Sequence, residues 1–273
     1  MYSAAPAATT TPVTVPDLRR MKTDGERIVA ATAYDASFGN LLDRCGVDVI
    51  LVGDSLGMVV QGHRHTLSVD LDAMIYHTAA TVRGVRRALV VTDMPFASYP
   101  DPATAFRNAA RCLSEGNASM VKLEGEGQVF ESLRYLSERE IPVCAHIGLT
   151  PQSVRRFGGF RVQGRSDTDA ARLRDAAVAA EQAGADMLVL ECVPSTLAAS
   201  IRALVTIPVI GIGAGSDCDG QILVSYDLLG LSTGRRPRFV KNFLQGRDSV
   251  DAAVLAYVEE VRAGTFPTAE HGY

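Results

Sequence analysis

Apolar residues along this chain recur in two rhythms. Short runs, most of them rich in Val, Ile or Leu, cover Ile28–Ala33, Val47–Gly53, Ala88–Thr92, Ala118–Leu123, Pro142–His146, Asp186–Leu190 and Pro208–Ile212, with a weaker eighth at Gln221–Ser225. They are apolar on both faces, which predicts strands buried on both sides, as in a parallel sheet. Between them, Ala36–Cys45, Asp72–Arg83, Pro102–Glu115, Gln128–Ser137, Asp167–Ala183 and Ser195–Ala203 carry apolar positions at helix spacing. Asp101 ahead of Pro102 predicts an N-cap followed by proline in the first turn, and Ser195 predicts another cap. Gly46, Gly84, Gly116 and Gly184 fall just past helix ends, where a left-handed cap is expected.

Strands alternating with helices over the whole length predict an α/β fold, and eight βα units predict a single-domain (β/α)8 TIM barrel over residues 16–264. An open doubly wound sheet is the alternative. It is disfavoured because the units look alike and no run opens into a GxGxxG helix start. Pro16-Asp17 is expected to open a short helix, reaching about Lys22, that closes the barrel bottom. Ser249–Ala263, apolar at Val250, Ala253, Val254, Tyr257 and Val261, is expected to pack on the barrel exterior or on a neighbouring subunit. The Ala/Thr/Pro-rich residues 1–15 read as a disordered extension and residues 265–273 as a tail.

Bulk composition narrows the function classes. The net charge of -4 and the absence of Trp give no footprint for nucleic acid or an anionic membrane. Five cysteines, an odd number with no CxxC pair, read as reduced thiols of a cytosolic protein. No apolar stretch approaches the roughly 20 residues of a membrane span, and the first residues lack the pattern of a signal peptide.

In a parallel barrel, active sites form at the C-terminal ends of the strands. The runs end in Asp54-Ser55, Asp93, Lys122 with Glu124, His146, Glu191 and Gly213-Ala214-Gly215. Asp54, Asp93 and Glu124, on three consecutive strands, would repel one another unless protonated or neutralised by a cation. With oxygen ligands only, Mg2+ is the natural ion; a plain helix-capping role is the competing reading for each acid. Lys122, among apolar neighbours, either pairs with an acid or meets an anionic substrate. Glu191, on the sixth strand and expected across the barrel from the other acids, reads as a proton acceptor. His146 and Tyr34 read as supporting residues at the mouth. The segment Gly211–Gly215 resembles a phosphate-cradling turn, though close backbone packing explains it as well.

Taken in order, Thr32–Asp35, Val52–Gly57, Tyr76–Thr78, Asp93–Phe96, Val121–Glu124, His146–Gln152, Gly158–Phe160 with Gln163-Gly164, Leu190-Glu191, and Ile210–Gly215 with Asp219–Gln221 form one series. From about residue 16 to 262 the series resembles the ketopantoate hydroxymethyltransferase family of pantothenate synthesis. The resemblance implies a (β/α)8 barrel that moves a one-carbon unit from 5,10-methylenetetrahydrofolate to 3-methyl-2-oxobutanoate through a Mg2+-stabilised enolate. By that resemblance Asp54 and Asp93 hold Mg2+, and Glu124 holds it directly or through water. Ser55 and Lys122 bind the oxo acid, and Glu191 is the base. A cytoplasmic homo-oligomer, commonly a decamer, is implied as well. A Mg2+-dependent C–C lyase or mutase on another 2-oxo acid is the alternative activity. Arg64-His65 and the stretch Leu229–Pro237 depart from the family pattern, both outside the catalytic set.

Overall fold

The computed structural model describes residues 11–232 and 236–273. Strands β1 (Ile28–Thr32), β2 (Val49–Val52), β3 (Leu89–Asp93), β4 (Met120–Glu124), β5 (Val143–Gly148), β6 (Met187–Glu191), β7 (Val209–Ile212) and β8 (Gly220–Leu223) lie in chain order. They close into one parallel barrel, in which β8 pairs with β1 through Ile28–Gly220 and Ala31–Leu223. Helices Ala36–Arg44, Leu71–Val82, Pro102–Ser114, Val129–Ser137, Asp167–Gln182 and Ser195–Leu204 separate the strands. This is the (β/α)8 barrel expected from the alternating runs. Among the described residues no helix is long and apolar enough to cross a membrane.

Successive strand residues point to opposite faces, so each strand contributes two sets of side chains. One set, including Val29, Ala31, Ile50, Val121, Leu123 and Ala145, packs outward under the helices. The other, including Ala30, Val49, Leu51, Val91, Met120, Cys144, Met187, Val189, Ile210 and Ile222, fills the barrel interior. Counting on by twos in the second set reaches Asp93 on β3, Lys122 and Glu124 on β4, His146 on β5 and Glu191 on β6. The same parity that packs the core therefore carries the polar residues inward at the mouth.

The bottom is closed by helix Val15–Asp24, which buries Leu18 and Met21 in the interior cluster. Thr14 and Asp17 form its capping box, and Val13 N donates to Arg87 O at 2.7 Å. Lys22 Nζ lies 2.8 Å from Ile207 O and 3.0 Å from Asp219 Oδ2, tying the plug to the base of β7. The chain is thus held on the barrel from Val13 onward, whereas residues 1–10 of the expected disordered extension lie outside the described residues. Residues 233–235, within the unusual Leu229–Pro237 stretch, do so too.

Helix Val250–Arg262 packs on its own barrel. Tyr257, fully buried, sets its hydroxyl 2.8 Å from Ala30 O and 3.0 Å from Gln221 O, across the β1–β8 seam. Val250, expected on that apolar face, is instead 38% exposed at the first turn.

Asp35, Asp70, Asp101, Ser166 and Ser249 each accept the backbone N–H three residues on, as N-caps do. Ser195 does not cap: Pro194 holds the N-cap position, and the Ser195 N–H is taken by the carbonyl of Tyr273. Gly46 and Gly184 are left-handed, at φ 91 and 96. Gly84 and Gly116 are not; a Cβ there would stand 2.1 Å from Ala36 O and 2.5 Å from Cys112 O, so these two are glycine for close packing. Asn117 takes the left-handed turn instead, at φ 58.

Candidate active site

Above the interior packing lies a cavity of about 790 Å³, floored by Asp54, Asp93, Lys122, Glu124 and His146. All five floor residues are 5% exposed or less. The turn after β2 brings Asp54 in: its backbone N–H donates to Asp93 Oδ2 at 2.9 Å. Gly53 makes this approach possible, because a Cβ there would lie 2.9 Å from Ser55 Oγ and 3.3 Å from Asp93 Oδ2. The hydroxyls of Ser55 and Tyr34 are 2.9 Å apart, which fixes Ser55 at the rim of the floor. Burial, offset only in part by Ser55, holds the Tyr34 phenol above its ordinary pKa, so it stays a neutral partner.

Lys122 Nζ stands 2.9 Å from Asp93 Oδ1 and 3.9 Å from Glu124 Oε2. Burial alone would drive its proton off, but Asp93, Glu124 and Asp54 outweigh burial and hold the ammonium above its ordinary range. The site remains over-acidic, with three carboxylates facing one ammonium. Burial first, then the charges of Asp93 and Glu124, push Asp54 well above the usual carboxylate range. Burial pushes Glu124 up to about 7, against the pull of Lys122.

His146 connects this floor to Glu191. Its Nδ1 is 3.1 Å from Lys122 Nζ and 3.3 Å from Glu124 Oε2, while its Nε2 is 3.3 Å from Glu191 Oε2. Burial, then the neighbouring Lys122, lowers its pKa, which favours the neutral imidazole. A neutral ring that accepts from Lys122 at Nδ1 carries its proton on Nε2, facing Glu191. Glu191 thus stands across the barrel from Asp54, as the strand order expects, and reaches the Glu124 side of the floor through His146. It sits on β6, next to the β5 strand that carries His146.

The sequence series contained Gln152 without assigning it a task. Its backbone N–H donates to Glu124 Oε1 at 2.6 Å and its side-chain Nε2 donates to Asp54 Oδ2 at 2.8 Å. Its Oε1 accepts from Tyr99 at 2.6 Å. One residue thus fixes two of the acids.

The glycines of the turn are closely packed against other protein atoms. A Cβ on Gly213 would meet Phe239, Cys192 and Tyr273, one on Gly215 would meet Ser195, and one on Gly211 would meet Cys218. Close protein packing accounts for all three. The five cysteines are free and buried, and burial raises each thiol's pKa.

Among the described residues no three His, Cys, Asp or Glu side chains are drawn together tightly enough to hold a metal ion by themselves. The floor nevertheless suits a hard cation whose remaining positions belong to water or substrate. Its donors are oxygens, its charge is unbalanced, and Glu124 Oε2 is buried without a hydrogen bond.

Comparison with known proteins agrees with this geometry. The family profile described as ketopantoate hydroxymethyltransferase matches residues 12–269. The chain is 57% identical over 264 residues to the 3-methyl-2-oxobutanoate hydroxymethyltransferase of Azoarcus sp. (strain BH72), covering 96% of this chain and 97% of that one. It is 53% identical over 273 residues to the enzyme of the same name from Ralstonia nicotianae, covering 100% and 99%. Among solved structures, 2,3-dimethylmalate lyase, a PEP mutase/isocitrate lyase superfamily member, superposes with a TM-score of 0.58 over 82% of this chain and 84% of that one. At 18% identity this likeness speaks for the barrel alone. The chain belongs to the ketopantoate hydroxymethyltransferase family.

Proposed function

We propose that this protein transfers a hydroxymethyl group from 5,10-methylenetetrahydrofolate to 3-methyl-2-oxobutanoate, giving 2-dehydropantoate, in the first committed step of pantothenate synthesis. The observation that carries the reading is the buried floor of three acids and one lysine, joined through His146 to Glu191 at the edge of the cavity.

The residues divide the work. Lys122 and Ser55 bind the oxo acid by its oxygens, Lys122 as a point charge and Ser55 as a hydroxyl donor held by Tyr34. Asp54 and Asp93, with Glu124 directly or through water, would hold Mg2+. When bound, Mg2+ would supply a Lewis acid beside the 2-oxo group. Glu191 removes the C3 proton, with His146 Nε2 3.3 Å from its carboxylate. The C3 carbanion equivalent attacks the methylene carbon of the folate, breaking its bond to one folate nitrogen. Water then displaces the second nitrogen and supplies the product hydroxyl, and the nitrogens take up the protons. The balance is one oxo acid, one methylenetetrahydrofolate and one water giving one dehydropantoate and one tetrahydrofolate. Family membership also supports a cytoplasmic homo-oligomer, a decamer in this reading.

The test is product formation from the two substrates with and without Mg2+, beside C3 hydrogen exchange of the oxo acid alone. Product that depends on both folate and Mg2+ is expected. Exchange without product would turn the reading toward a lyase or mutase of another 2-oxo acid. Absence of both would dismiss it.

A further inference from the structure

The sequence series includes Tyr76-His77-Thr78, a segment that no step of the proposed reaction uses. It lies on helix Leu71–Val82, between β2 and β3, and its residues do not line the cavity. Two of its side chains nevertheless reach toward strand ends that carry the site. Thr78 is fully buried; its Oγ1 donates to Met74 O at 2.6 Å and, with its proton committed there, accepts from Thr92 Oγ1 at 2.6 Å. Thr92 directly precedes Asp93, so this contact sets the helix against the end of β3. One residue earlier, half-buried His77 places its Nδ1 2.7 Å from the backbone carbonyl of Tyr34. A carbonyl oxygen only accepts, so Nδ1 carries a proton and donates it to Tyr34.

Tyr34 sits in the short link between β1 and Asp35, the N-cap of the next helix. Ala33 N still donates to Leu51 O at 3.1 Å, on β2. The Tyr34 carbonyl, one residue further, is held by a side chain from another helix instead. The Tyr34 ring is buried among Val52, Leu56 and Met74, and its hydroxyl lies 2.9 Å from Ser55 Oγ. An aromatic side chain has only two rotatable bonds, so a fixed backbone and a packed ring leave the phenol oxygen little freedom. Ser55 holds the N-cap position of the short helix Leu56–Val59 without making a capping bond, and it lines the cavity. A serine hydroxyl has one proton. For Ser55 to give it to an oxo acid, Ser55 must accept from Tyr34.

We propose that His77 is a positioning residue for the oxo-acid site: by holding the Tyr34 backbone it places the phenol oxygen that turns the Ser55 proton into the cavity. His77 touches no substrate and acts through two hydrogen bonds in series, His77 to Tyr34 and Tyr34 to Ser55. The inference rests on the proposed function, in which Ser55 binds the oxo acid. A plain structural tie between helix and barrel would lower stability when broken and leave the affinity for the oxo acid untouched. The role proposed here moves that affinity, and it does so only while Ser55 is present.

The experiment uses the full-length protein with Mg2+, 3-methyl-2-oxobutanoate as the probe, and the variants His77→Leu, His77→Asn, Tyr34→Phe and Ser55→Ala. Calorimetry gives the oxo-acid affinity, C3 exchange without folate gives KM and kcat, and denaturant unfolding gives stability. His77→Leu is expected to weaken binding and raise KM about three- to tenfold, the worth of one neutral hydrogen bond, with kcat within about twofold of the parent. Tyr34→Phe removes only the phenol oxygen, leaves the His77 contact in place, and is expected to match that loss. His77→Asn restores an N–H donor close to the place of Nδ1 and is expected to return the affinity to within about twofold of the parent. In the Ser55→Ala protein, adding His77→Leu is expected to cause no further loss, because the residues act in one chain. Parental affinity in His77→Leu or Tyr34→Phe, an equal loss with and without Ser55, or His77→Asn as weak as His77→Leu would each overturn the proposal. Binding that follows the expected pattern in a protein forming no product would keep the role of His77 and remove the transferase reading. Product formed by a protein whose variants bind as the parent does would do the reverse.

Discussion

Lys122 and Asp93 are register partners on β4 and β3, and their charged groups meet at 2.9 Å with both side chains 5% exposed or less. The pairing follows from the barrel: same-parity residues on adjacent parallel strands stand side by side, and the interior excludes the water that would screen them. Removing one member of such a buried pair leaves an uncompensated charge. Lys122→Met is therefore expected to lower the unfolding free energy of the metal-free protein by about 3–5 kcal/mol. It should also abolish oxo-acid binding. Denaturant unfolding and calorimetry read the two effects, and a variant as stable as the parent would remove the pair from its role.

The surplus acid predicts an unusual pH dependence. Burial moves Glu124 from 4.5 to about 7 in the folded protein. At pH values below 4.5 the group is protonated in both folded and unfolded chains and contributes no slope. Between 4.5 and about 7 the unfolded chain gives up this proton while the folded protein keeps it, so stability falls as pH rises. Above that window the loss is complete. Relative to Glu124→Gln, the parent protein without Mg2+ should lose stability across this window, and saturating Mg2+ should flatten the loss. Parallel pH profiles for parent and variant would refute the assignment.

How far the sequence discloses the site depends on which element delivers each residue. Asp93, Lys122, Glu124, His146 and Glu191 lie on strands, where a period of two links them to the apolar interior positions already visible in the runs. Their convergence follows once the parallel barrel is accepted. Gln152 is delivered by the 3-10 turn Pro151–Ser153, which has no periodicity to read, and its value lies in reaching Asp54 and Glu124 together. Tyr273 is harder still, because only the folded chain brings it beside Gly213 and Cys192. The glycines after helices teach a related point. Gly84 looks like a helix cap in sequence, yet the need for glycine comes from Ala36 O on another helix.

Gln152 supplies a prediction that the acids alone do not. It donates to one oxygen each of Asp54 and Glu124, leaving other carboxylate oxygens free to face a cation. Partners that orient ligands in this way typically change metal affinity about 10–100-fold when removed. Gln152→Leu is expected to weaken Mg2+ binding within that range while the fold survives, since its backbone N–H still reaches Glu124. Mg2+ titration by calorimetry decides the matter, and affinity equal to that of the parent would relieve Gln152 of this function.

Glu191 is 3.3 Å from the His146 Nε2 and lines the same cavity as the acids and Lys122, without touching Lys122, Asp54 or Asp93 in any ion pair. That position separates proton removal from substrate binding. Glu191→Gln keeps the shape and the contact with His146 but cannot accept a proton. It is expected to bind Mg2+ and 3-methyl-2-oxobutanoate as the parent does and to lose C3 exchange by about 10²–10⁴-fold, the usual worth of a positioned base. Deuterium exchange followed by proton NMR, beside calorimetric binding of the oxo acid, gives both quantities on one preparation. Exchange at the parental rate would move the base elsewhere. A parallel loss of binding would make Glu191 part of the floor rather than the group that acts on the substrate above it.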